Sequence, residues 1–201
     1  MPSIYSIKPA FQRVLQPACK FLYRAGITPN QITVATFFAS VAMGAWLYIS
    51  TDNKIPYIVL PLFLFLRMAA NALDGMLARQ YDLASEAGAL LNEMCDVLAD
   101  AALYLPFTII SGIQPILIIA IVILAMVSEV VSLAAITIGA QRRVDGPMGK
   151  SDRAVAFGLA ALLYGFGFIS VEKLNYLFVV VWVLLLLTII NRYKNALKEV
   201  R

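Results

Sequence analysis

Polar side chains recur at helical spacing in two neighbouring segments of the sequence, residues 67–79 and 88–100. At 100° per residue, one face of the first segment carries Arg67, Asn71, Asp74 and Ala78. One face of the second segment carries Asn92, Glu93, Asp96 and Asp100. Because only residues 80–87 separate the segments, we expect two antiparallel helices whose polar faces confront one another.

Four of these side chains are carboxylates that we expect to lie in close range, namely Asp74, Glu93, Asp96 and Asp100. Like charges at such separations repel and partly protonate unless a cation binds between them. The chain contains no His, and a site made of oxygen ligands suits Mg²⁺ or Mn²⁺. Hard divalent cations commonly serve phosphate chemistry. The alternative is that the acids only pair with Arg67 and Arg79 between the helices.

Composition places these segments in a membrane protein. Hydrophobic residues make up 61% of the chain and charged residues 14%, whereas soluble domains contain about 45–50% and 25%. The absence of His excludes His-based triads and His–metal sites. Two cysteines, Cys19 and Cys95, are too few for a zinc knuckle or a disulfide framework.

The elements that must position the polar faces are long apolar segments. A helix needs roughly 20 residues to cross a 30 Å hydrocarbon core. We therefore predict an all-α integral membrane protein with a single domain over residues 1–201, in which 28–201 form a bundle of six transmembrane helices. The predicted spans are Ile32–Ser50, Ile55–Arg79, Gly88–Ile110, Ile113–Ala140, Ala154–Ser170 and Leu174–Asn191.

Residues 1–27 precede the first span and alternate apolar with basic side chains, which predicts an amphipathic helix in the headgroup plane. Thr28 is expected to cap the next helix, with Pro29 in its first turn and Gln31 completing a capping box. No short apolar run is followed by a small-residue cleavage site, so no cleavable signal peptide is predicted.

The distribution of basic residues predicts that both termini face the cytoplasm. In that orientation, of the 16 Lys and Arg residues, only Lys54 and Lys173 lie on the opposite side, and Arg67 lies within a span. Such a bias follows the positive-inside rule. It also explains the net charge of +4 without a nucleic-acid partner, so no nucleic acid is expected to bind.

The motif residues resemble those of the CDP-alcohol phosphatidyltransferase family. The family pattern reads Asp-x-x-Asp-Gly-x-x-Ala-Arg, eight residues, Gly-x-x-x-Asp-x-x-x-Asp. The chain matches this spacing, with the residues Asn71, Asp74, Gly75, Ala78, Arg79, Gly88, Asn92 and Asp96. Six spans after an interfacial helix are also the family's architecture.

The resemblance implies a reaction and roles for these residues. The expected enzyme transfers a phosphatidyl group from a CDP-activated lipid, such as CDP-diacylglycerol, to an alcohol and releases CMP. Asp74 and Asp96 inherit metal ligation, and Asp96 also inherits the role of general base on the acceptor. The positions expected to contact the cytidine diphosphate are Asn71, Gly75, Ala78, Arg79 and Gly88. A homodimer in the bacterial inner membrane is implied as well.

Two departures from the family pattern change the metal site. Asn71 and Asn92 stand where the family has Asp, and an amide supplies only a neutral carbonyl oxygen. We hypothesise that Glu93 and Asp100, which lie on the same arc, restore the missing charge. Asp100 is equally well interpreted as a supporting or packing residue. A family member that binds CDP-lipid without turnover is the alternative.

Residues 142–153 connect the fourth and fifth spans and contain a Gly-Lys pair, Gly149-Lys150. Ser151 is expected to cap the fifth span, whose amides with Lys150 and Arg153 would form a phosphate-binding corner. The same basic residues are equally well explained by the positive-inside rule, so a phosphorylated acceptor is only one of two interpretations. Glu129, within the fourth span, has three open roles: pairing with Arg67, the acceptor pocket or a helix interface.

Two other classes of protein are compatible with buried acids in a membrane bundle. A small cation transporter would use them along a pathway, but the acids here cluster at one end of two helices and no internal repeat is evident. A purely structural membrane protein would leave the polar cluster unexplained. CMP formation would separate the transferase from both.

Overall fold

The computed structural model describes residues 8–50 and 53–201, and in these residues the chain forms seven α-helices. The helices are α1 (Lys8–Arg24), α2 (Pro29–Ile49), α3 (Ile55–Gln80), α4 (Glu86–Tyr104), α5 (Pro115–Thr137), α6 (Lys150–Gly165) and α7 (Val171–Glu199). A 3₁₀ turn, Leu105–Ile109, continues α4. The predicted all-α fold is therefore confirmed.

Four helices, α2, α3, α5 and α7, are long and apolar enough to cross a membrane. This membrane character agrees with the composition. α6 contains 16 residues, which extend only about 24 Å at 1.5 Å per residue. α4 contains four acidic residues, Glu86, Glu93, Asp96 and Asp100. The six-span count therefore stays a prediction where it depends on α4 and α6.

The N-terminal part of the bundle follows local rules that the sequence contains. Thr28 caps α2: its hydroxyl accepts from the Gln31 amide at 3.3 Å, and the Gln31 side chain accepts from the Thr28 amide at 2.9 Å. Of the predicted helix 1–27, residues 1–7 lie outside the described part of the chain. The remainder, α1, packs on α3, where Tyr23 stacks on Tyr81 with ring centroids 3.7 Å apart.

The prediction that Ser151 caps the fifth span is wrong. The N-cap of α6 is Gly149, two residues earlier, and the helix begins at Lys150. The Asp152 carboxylate reaches back and accepts a hydrogen bond from the Gly149 amide at 3.0 Å. A carboxylate is the better partner for a helix N-terminus because it also interacts favourably with the helix dipole.

An aromatic core joins the C-terminal half of the molecule. Tyr104 stacks on Phe157 with ring centroids 4.0 Å apart, and Phe107 meets both Phe157 and Phe178 edge to face. All four rings are fully buried. This core therefore connects α4 and its 3₁₀ turn to α6 and α7, directly beside the last turns of the polar face of α4.

The helix α2 packs closely against both α3 and α4. Its approach to α4 is tightest at Gly44, where an added Cβ would meet the carbonyl group of Ala102, with the carbonyl carbon 2.8 Å away. Small residues permit such close backbone contact between membrane helices. Gly44 therefore fixes the distance between α2 and α4, and with it the position of the polar face of α4.

Replacing Gly44 with Ala is expected to destabilise the protein, because backbone atoms of α4 have to move to admit the methyl group. We expect a loss of about 1–3 kcal/mol, the usual cost of overpacking, seen as a lower melting temperature in detergent. Gly158→Ala is the matched control, since its Cβ would meet only ordinary contacts of 3.5 Å or more with Pro61 and Leu64. Equal melting temperatures for both variants would contradict this account of the α2–α4 contact.

Candidate active site

The polar faces of α3 and α4 do confront one another, as the sequence predicts. The Asn71 amide donates to Asp96 Oδ1 at 2.9 Å. Arg67 donates to Asp100 Oδ1 at 2.6 Å and to the Asp96 carbonyl at 3.1 Å. Long side chains from α3 thus bridge to α4, while α2 packs on both helices.

The expected single cluster of four acids is not what the structure shows. Each of three acids is instead engaged by a basic residue: Glu93 by Arg142, Asp96 by Lys150, and Asp100 by Arg67 and Arg153. Within the described residues, no group of three or more acidic or cysteine side chains is placed to hold a metal ion. Neutralisation by basic side chains is the physical reason, since it removes the repulsion that a cluster would need a metal to relieve.

Asp74 is the exception among the four acids. No basic side chain lies within 4.0 Å of it in the described part of the chain. Its carboxylate accepts a hydrogen bond from the Thr33 hydroxyl of α2 at 3.0 Å, and only 6% of the residue is exposed. A carboxylate held by a neutral donor keeps its full charge available to a ligand.

Asp74 faces a cavity of about 170 Å³ between α2, α3 and the start of α4, which we call the motif cavity. Five predicted site residues line it, namely Asp74, Gly75, Ala78, Gly88 and Asn92. Residues that the sequence motif does not include also line it, among them Pro29, Asn30 and Thr33 of α2. Their signal in the sequence is the capping box at Thr28–Gln31, which places Pro29, Asn30 and Thr33 in the first turns of α2.

Glycine makes room for polar side chains in the walls of the motif cavity. A Cβ at Gly88 would stand 2.5 Å from Asn30 Oδ1 and 2.9 Å from Ser85 Oγ. A Cβ at Gly75 would stand 3.2 Å from the Arg79 guanidinium, which folds back over this position. The spacing of the motif therefore keeps the cavity open at Gly88 and makes room for Arg79 at Gly75.

A second cavity of about 300 Å³ lies between α4, α5, the N-terminus of α6 and the preceding loop, and we call it the loop cavity. The predicted residues Asn92, Glu93, Asp96 and Lys150 line it. It also contains Glu129, Ser132, Arg142 and Arg192, of which Ser132, Arg142 and Arg192 were not predicted as site residues. Asn92 lines both cavities, so the two meet at this residue.

Arg153 does not line the loop cavity, contrary to the expectation that it binds substrate there. Only 1% of it is exposed, and its guanidinium donates to Asp100 at 3.0 Å and to Glu129 at 3.1 Å. Glu129 in turn lies 3.4 Å from Arg192 of α7. Glu129 thus lies in a helix interface that borders the loop cavity. Its partners are Arg153 and Arg192 instead of Arg67.

These contacts form one continuous chain of buried ion pairs, which we call the charge ladder. It runs in the order Arg67, Asp100, Arg153, Glu129 and Arg192. The ladder joins five helices, α3 to α7. Because each carboxylate bridges two arginines, no charge within it faces the apolar surroundings alone.

The loop before α6 is held by its own ion pairs outside the apolar helices. Arg143 donates to both Asp145 oxygens, at 2.6 and 2.9 Å, and also pairs with Glu199. Partial burial raises the pKa of Asp145, but the hydrogen bonds from Arg143 outweigh this and leave the pKa below its ordinary value. The loop wall of the loop cavity is therefore anchored by a charged Asp145 at neutral pH.

The oxygen atoms around Asn92 fit a hard divalent cation. Asn92 Oδ1 is buried and has no hydrogen-bond partner in the described structure. Asn92 lines the motif cavity together with Asp74, whose carboxylate has no basic partner among the described residues. A buried polar atom without a partner is costly unless something binds it, and amide and carboxylate oxygens are ligands for Mg²⁺ or Mn²⁺.

Replacing Asp100 with Asn is expected to destabilise the protein strongly, because two buried arginines lose their shared counter-charge. Breaking a buried ion pair from one side costs about 3–5 kcal/mol. A thermal denaturation curve in detergent measures the change, with Glu172→Gln as the control for loss of an exposed acid. An Asp100→Asn variant as stable as the control would show that the ladder contributes nothing to the fold.

Comparison with known proteins agrees with the motif and the geometry. The model of the CDP-alcohol phosphatidyltransferase family matches residues 26–190. The chain is 40% identical over 195 residues to the inner membrane protein YnbA of Escherichia coli, which covers 97% of this chain and 96% of YnbA. It is 30% identical over 145 residues to archaetidylinositol phosphate synthase of Aeropyrum pernix, with 72% and 71% covered.

Solved structures show a similar fold. Phosphatidylinositol phosphate synthase of Mycobacterium tuberculosis, crystallised with manganese and citrate, superposes with a TM-score of 0.77 at 20% identity over 91% of this chain and 88% of that one. The same enzyme with CDP-DAG bound gives a TM-score of 0.73 at 21% identity, with 94% of both chains covered. The family match begins at Gly26, two residues before the α2 cap Thr28, extends into α7 and includes every motif residue. The chain belongs to the CDP-alcohol phosphatidyltransferase family.

Proposed function

We propose that this protein transfers the phosphatidyl group of CDP-diacylglycerol to an alcohol acceptor and releases CMP. The observation that carries the proposal is the pair of cavities that meet at Asn92. One is lined by the family motif and the other by basic side chains of the loop and α6. A two-substrate transfer needs two adjoining pockets of this kind, so that the reacting groups are held in line.

The motif cavity is assigned to the CDP-lipid. Gly75, Ala78 and Gly88 supply walls without large side chains, against which a nucleotide diphosphate can lie. Asp74 and Asn92 would hold Mg²⁺ or Mn²⁺, whereas Asp96 is engaged by the Asn71 amide and Lys150. The cation supplies neutralisation of the pyrophosphate charge. The solved relative that contains CDP-DAG has the same fold, which supports the assignment.

The loop cavity is assigned to the acceptor alcohol. The hydroxyl oxygen of the alcohol attacks the β-phosphorus of CDP-diacylglycerol. The bond between that phosphorus and the oxygen that leaves with CMP breaks, and the hydroxyl proton passes to a base. Asp96 is the proposed base, because its carboxylate lines this cavity next to Asn92. A carboxylate that also pairs with Lys150 is a weak base, so the reaction depends mainly on charge neutralisation and alignment.

The acceptor is proposed to be a phosphorylated alcohol. Two partly exposed basic side chains, Arg142 and Lys150, line the loop cavity, and such groups bind phosphate oxygens. Archaetidylinositol phosphate synthase of Aeropyrum pernix is a relative whose name describes a phosphorylated product. Arg153 and Arg192 have supporting roles in this proposal, because both are buried in the charge ladder.

Glu93 and Asp100 are not assigned to the metal. Both Asp100 oxygens are held by arginines, and both Glu93 oxygens are held by Arg142. The hypothesis that these two acids restore the charge lost at Asn71 and Asn92 therefore finds no support in the geometry. Loss of turnover in Asp100→Asn would then reflect unfolding of the site instead of loss of a metal ligand.

The membrane arrangement is proposed to follow the basic residues. The bundle of 28–201 would span the inner membrane six times, with α1 in the headgroup plane and both termini in the cytoplasm. α4 and α6 can cross because their polar side chains pair within the bundle. Both cavities would then open at the cytoplasmic side, where CDP and CMP groups are soluble, and the active form would be a homodimer.

One observation favours a second function, a protein that binds CDP-lipid without turning it over. Asp96 is held by Asn71 and Lys150, and two family carboxylates are replaced by amides. These features weaken the proposed base and the metal site. Binding of CDP-lipid without CMP release would identify this function.

The transferase assignment is tested by CMP release from CDP-diacylglycerol by the purified protein with Mg²⁺ or Mn²⁺ and a panel of phosphorylated and unphosphorylated alcohols. We expect release to require the metal and one acceptor, and to stop when EDTA is added. Asp96→Asn is expected to lower the turnover rate at least about 100-fold, the usual contribution of a general base. Glu86→Gln, an exposed acid on the same helix, serves as the control.

If no alcohol in the panel gives CMP release while the protein still binds CDP-lipid, the binding function is favoured over the transferase. Turnover that persists in EDTA would show that the proposed cation has no part in the reaction. Full activity of Asp96→Asn would remove Asp96 from the role of base. Metal-driven ion flux in liposomes without CMP release would instead indicate a transporter.

A further inference from the structure

Lys150 is placed unusually for a residue at the start of a helix. It is the first residue of α6, yet its ammonium group pairs with Oδ2 of Asp96, the last residue of the motif. The other oxygen, Oδ1, accepts from the Asn71 amide at 2.9 Å and lies 3.8 Å from Arg67. Both Asp96 oxygens are therefore already engaged by donors that belong to the protein.

Asp74, in contrast to Asp96, is not engaged by a basic side chain of the described residues. It lies on the facing helix α3, has a neutral partner in Thr33, and forms no ion pair with the described residues. Asn92 lines the same cavity, and its Oδ1 is buried without a hydrogen-bond partner among the described residues. The two carboxylates of the motif thus differ: Asp74 has open acceptor capacity, whereas Asp96 is compensated.

We propose that the Lys150 ammonium acts as a built-in cation at Asp96, so that the site takes one divalent cation, at Asp74 and Asn92, and not two shared between Asp74 and Asp96. This inference rests on the proposed function and adds the composition of its metal site. It assigns to Lys150 a role in electrostatic neutralisation, as a residue of the reaction centre.

Coulomb's law supports one divalent cation over two. A second ion at Asp96 would have to displace the Lys150 ammonium or lie beside it, and the repulsion between such charges a few ångströms apart amounts to several kcal/mol even at an effective dielectric of 20. It would also meet the N–H side of the Asn71 amide, which points at Asp96. With amides at Asn71 and Asn92, no additional negative charge offsets these costs.

The Lys150 ammonium group can also remain at Asp96 when a substrate binds. Asp96 and Lys150 both line the loop cavity, and the Lys150 side chain is about a third exposed, at 31%. It can therefore contact the anionic groups of a bound substrate while it remains attached to Asp96. A lysine fixed in this way supplies positive charge at the junction of the cavities. This charge does not depend on the concentration of metal ions in the cell.

The test is the number of Mn²⁺ ions bound per chain, measured by electron paramagnetic resonance of free Mn²⁺ with the purified full chain. Wild-type protein is expected to bind one ion. Lys150→Met frees Asp96 and is expected to admit a second ion, with an affinity at least about tenfold higher than any second event in the wild type. Lys150→Arg, which keeps the charge, is expected to bind one ion.

Lys194→Met is the matched control, because Lys194 is exposed and forms no ion pair in the described structure. It should leave the stoichiometry at one, and melting curves show whether each variant is folded. Two ions of similar affinity in the wild type, or none, would overturn the proposal. A Lys150→Met variant that is folded and still binds a single ion with unchanged affinity would overturn it as well.

The readout separates this proposal from the proposed function. Mn²⁺ stoichiometry is measured without substrate, so it assesses Lys150 even if no acceptor gives CMP release. Release of CMP by a wild-type protein that binds two ions would sustain the transferase and reject the role of Lys150. One bound ion without turnover would sustain Lys150 and favour the binding function.

Discussion

The charge ladder of Arg67, Asp100, Arg153, Glu129 and Arg192 is the constraint on which the rest of this molecule depends. Apolar helices in a bilayer gain little from mutual contact, because lipid is as apolar as their side chains. Buried charges behave differently, since each must find a partner of opposite sign or carry a large desolvation penalty. The ladder satisfies five such charges at once only when α3 to α7 are in their native arrangement.

This requirement fixes the site. Arg67 and Asp100 set the level at which α3 meets α4, one turn from Asp96, and Arg153 sets the level at which the N-terminus of α6 approaches the same helix. Lys150, almost one turn before Arg153, then reaches Asp96. Structural and reactive polar groups therefore lie on the same helix faces, and the former determine the distances between the latter. The cost of a misplaced charge makes this arrangement more rigid than apolar packing alone.

Much of this was readable from the sequence, because it is local. The 100° periodicity places Asn71 and Asp74 on one face of α3, and the Thr28–Gln31 spacing contains the capping box. Contacts between distant segments were not readable in the same way. That Arg153 would join Asp100 across 53 positions, or that Arg192 of α7 would reach Glu129, depends on how helices pack and not on spacing. Acids were therefore expected to gather around a metal, whereas in the structure basic side chains from distant parts of the chain neutralise three of the four.

The same charge accounting gives a reason for the amides at Asn71 and Asn92. Four basic groups, Arg67, Lys150, Arg153 and Arg192, face four acidic ones, Asp74, Asp96, Asp100 and Glu129. The polar region is thus neutral as a whole without a bound ion, which an apolar environment favours. Carboxylates at both amide positions would add two negative charges and make the empty site depend on a resident cation. On the proposed assignment, the one divalent cation at Asp74 and Asn92 also neutralises the negative charge that a pyrophosphate brings, so metal and CDP-lipid should bind more tightly together than either does alone.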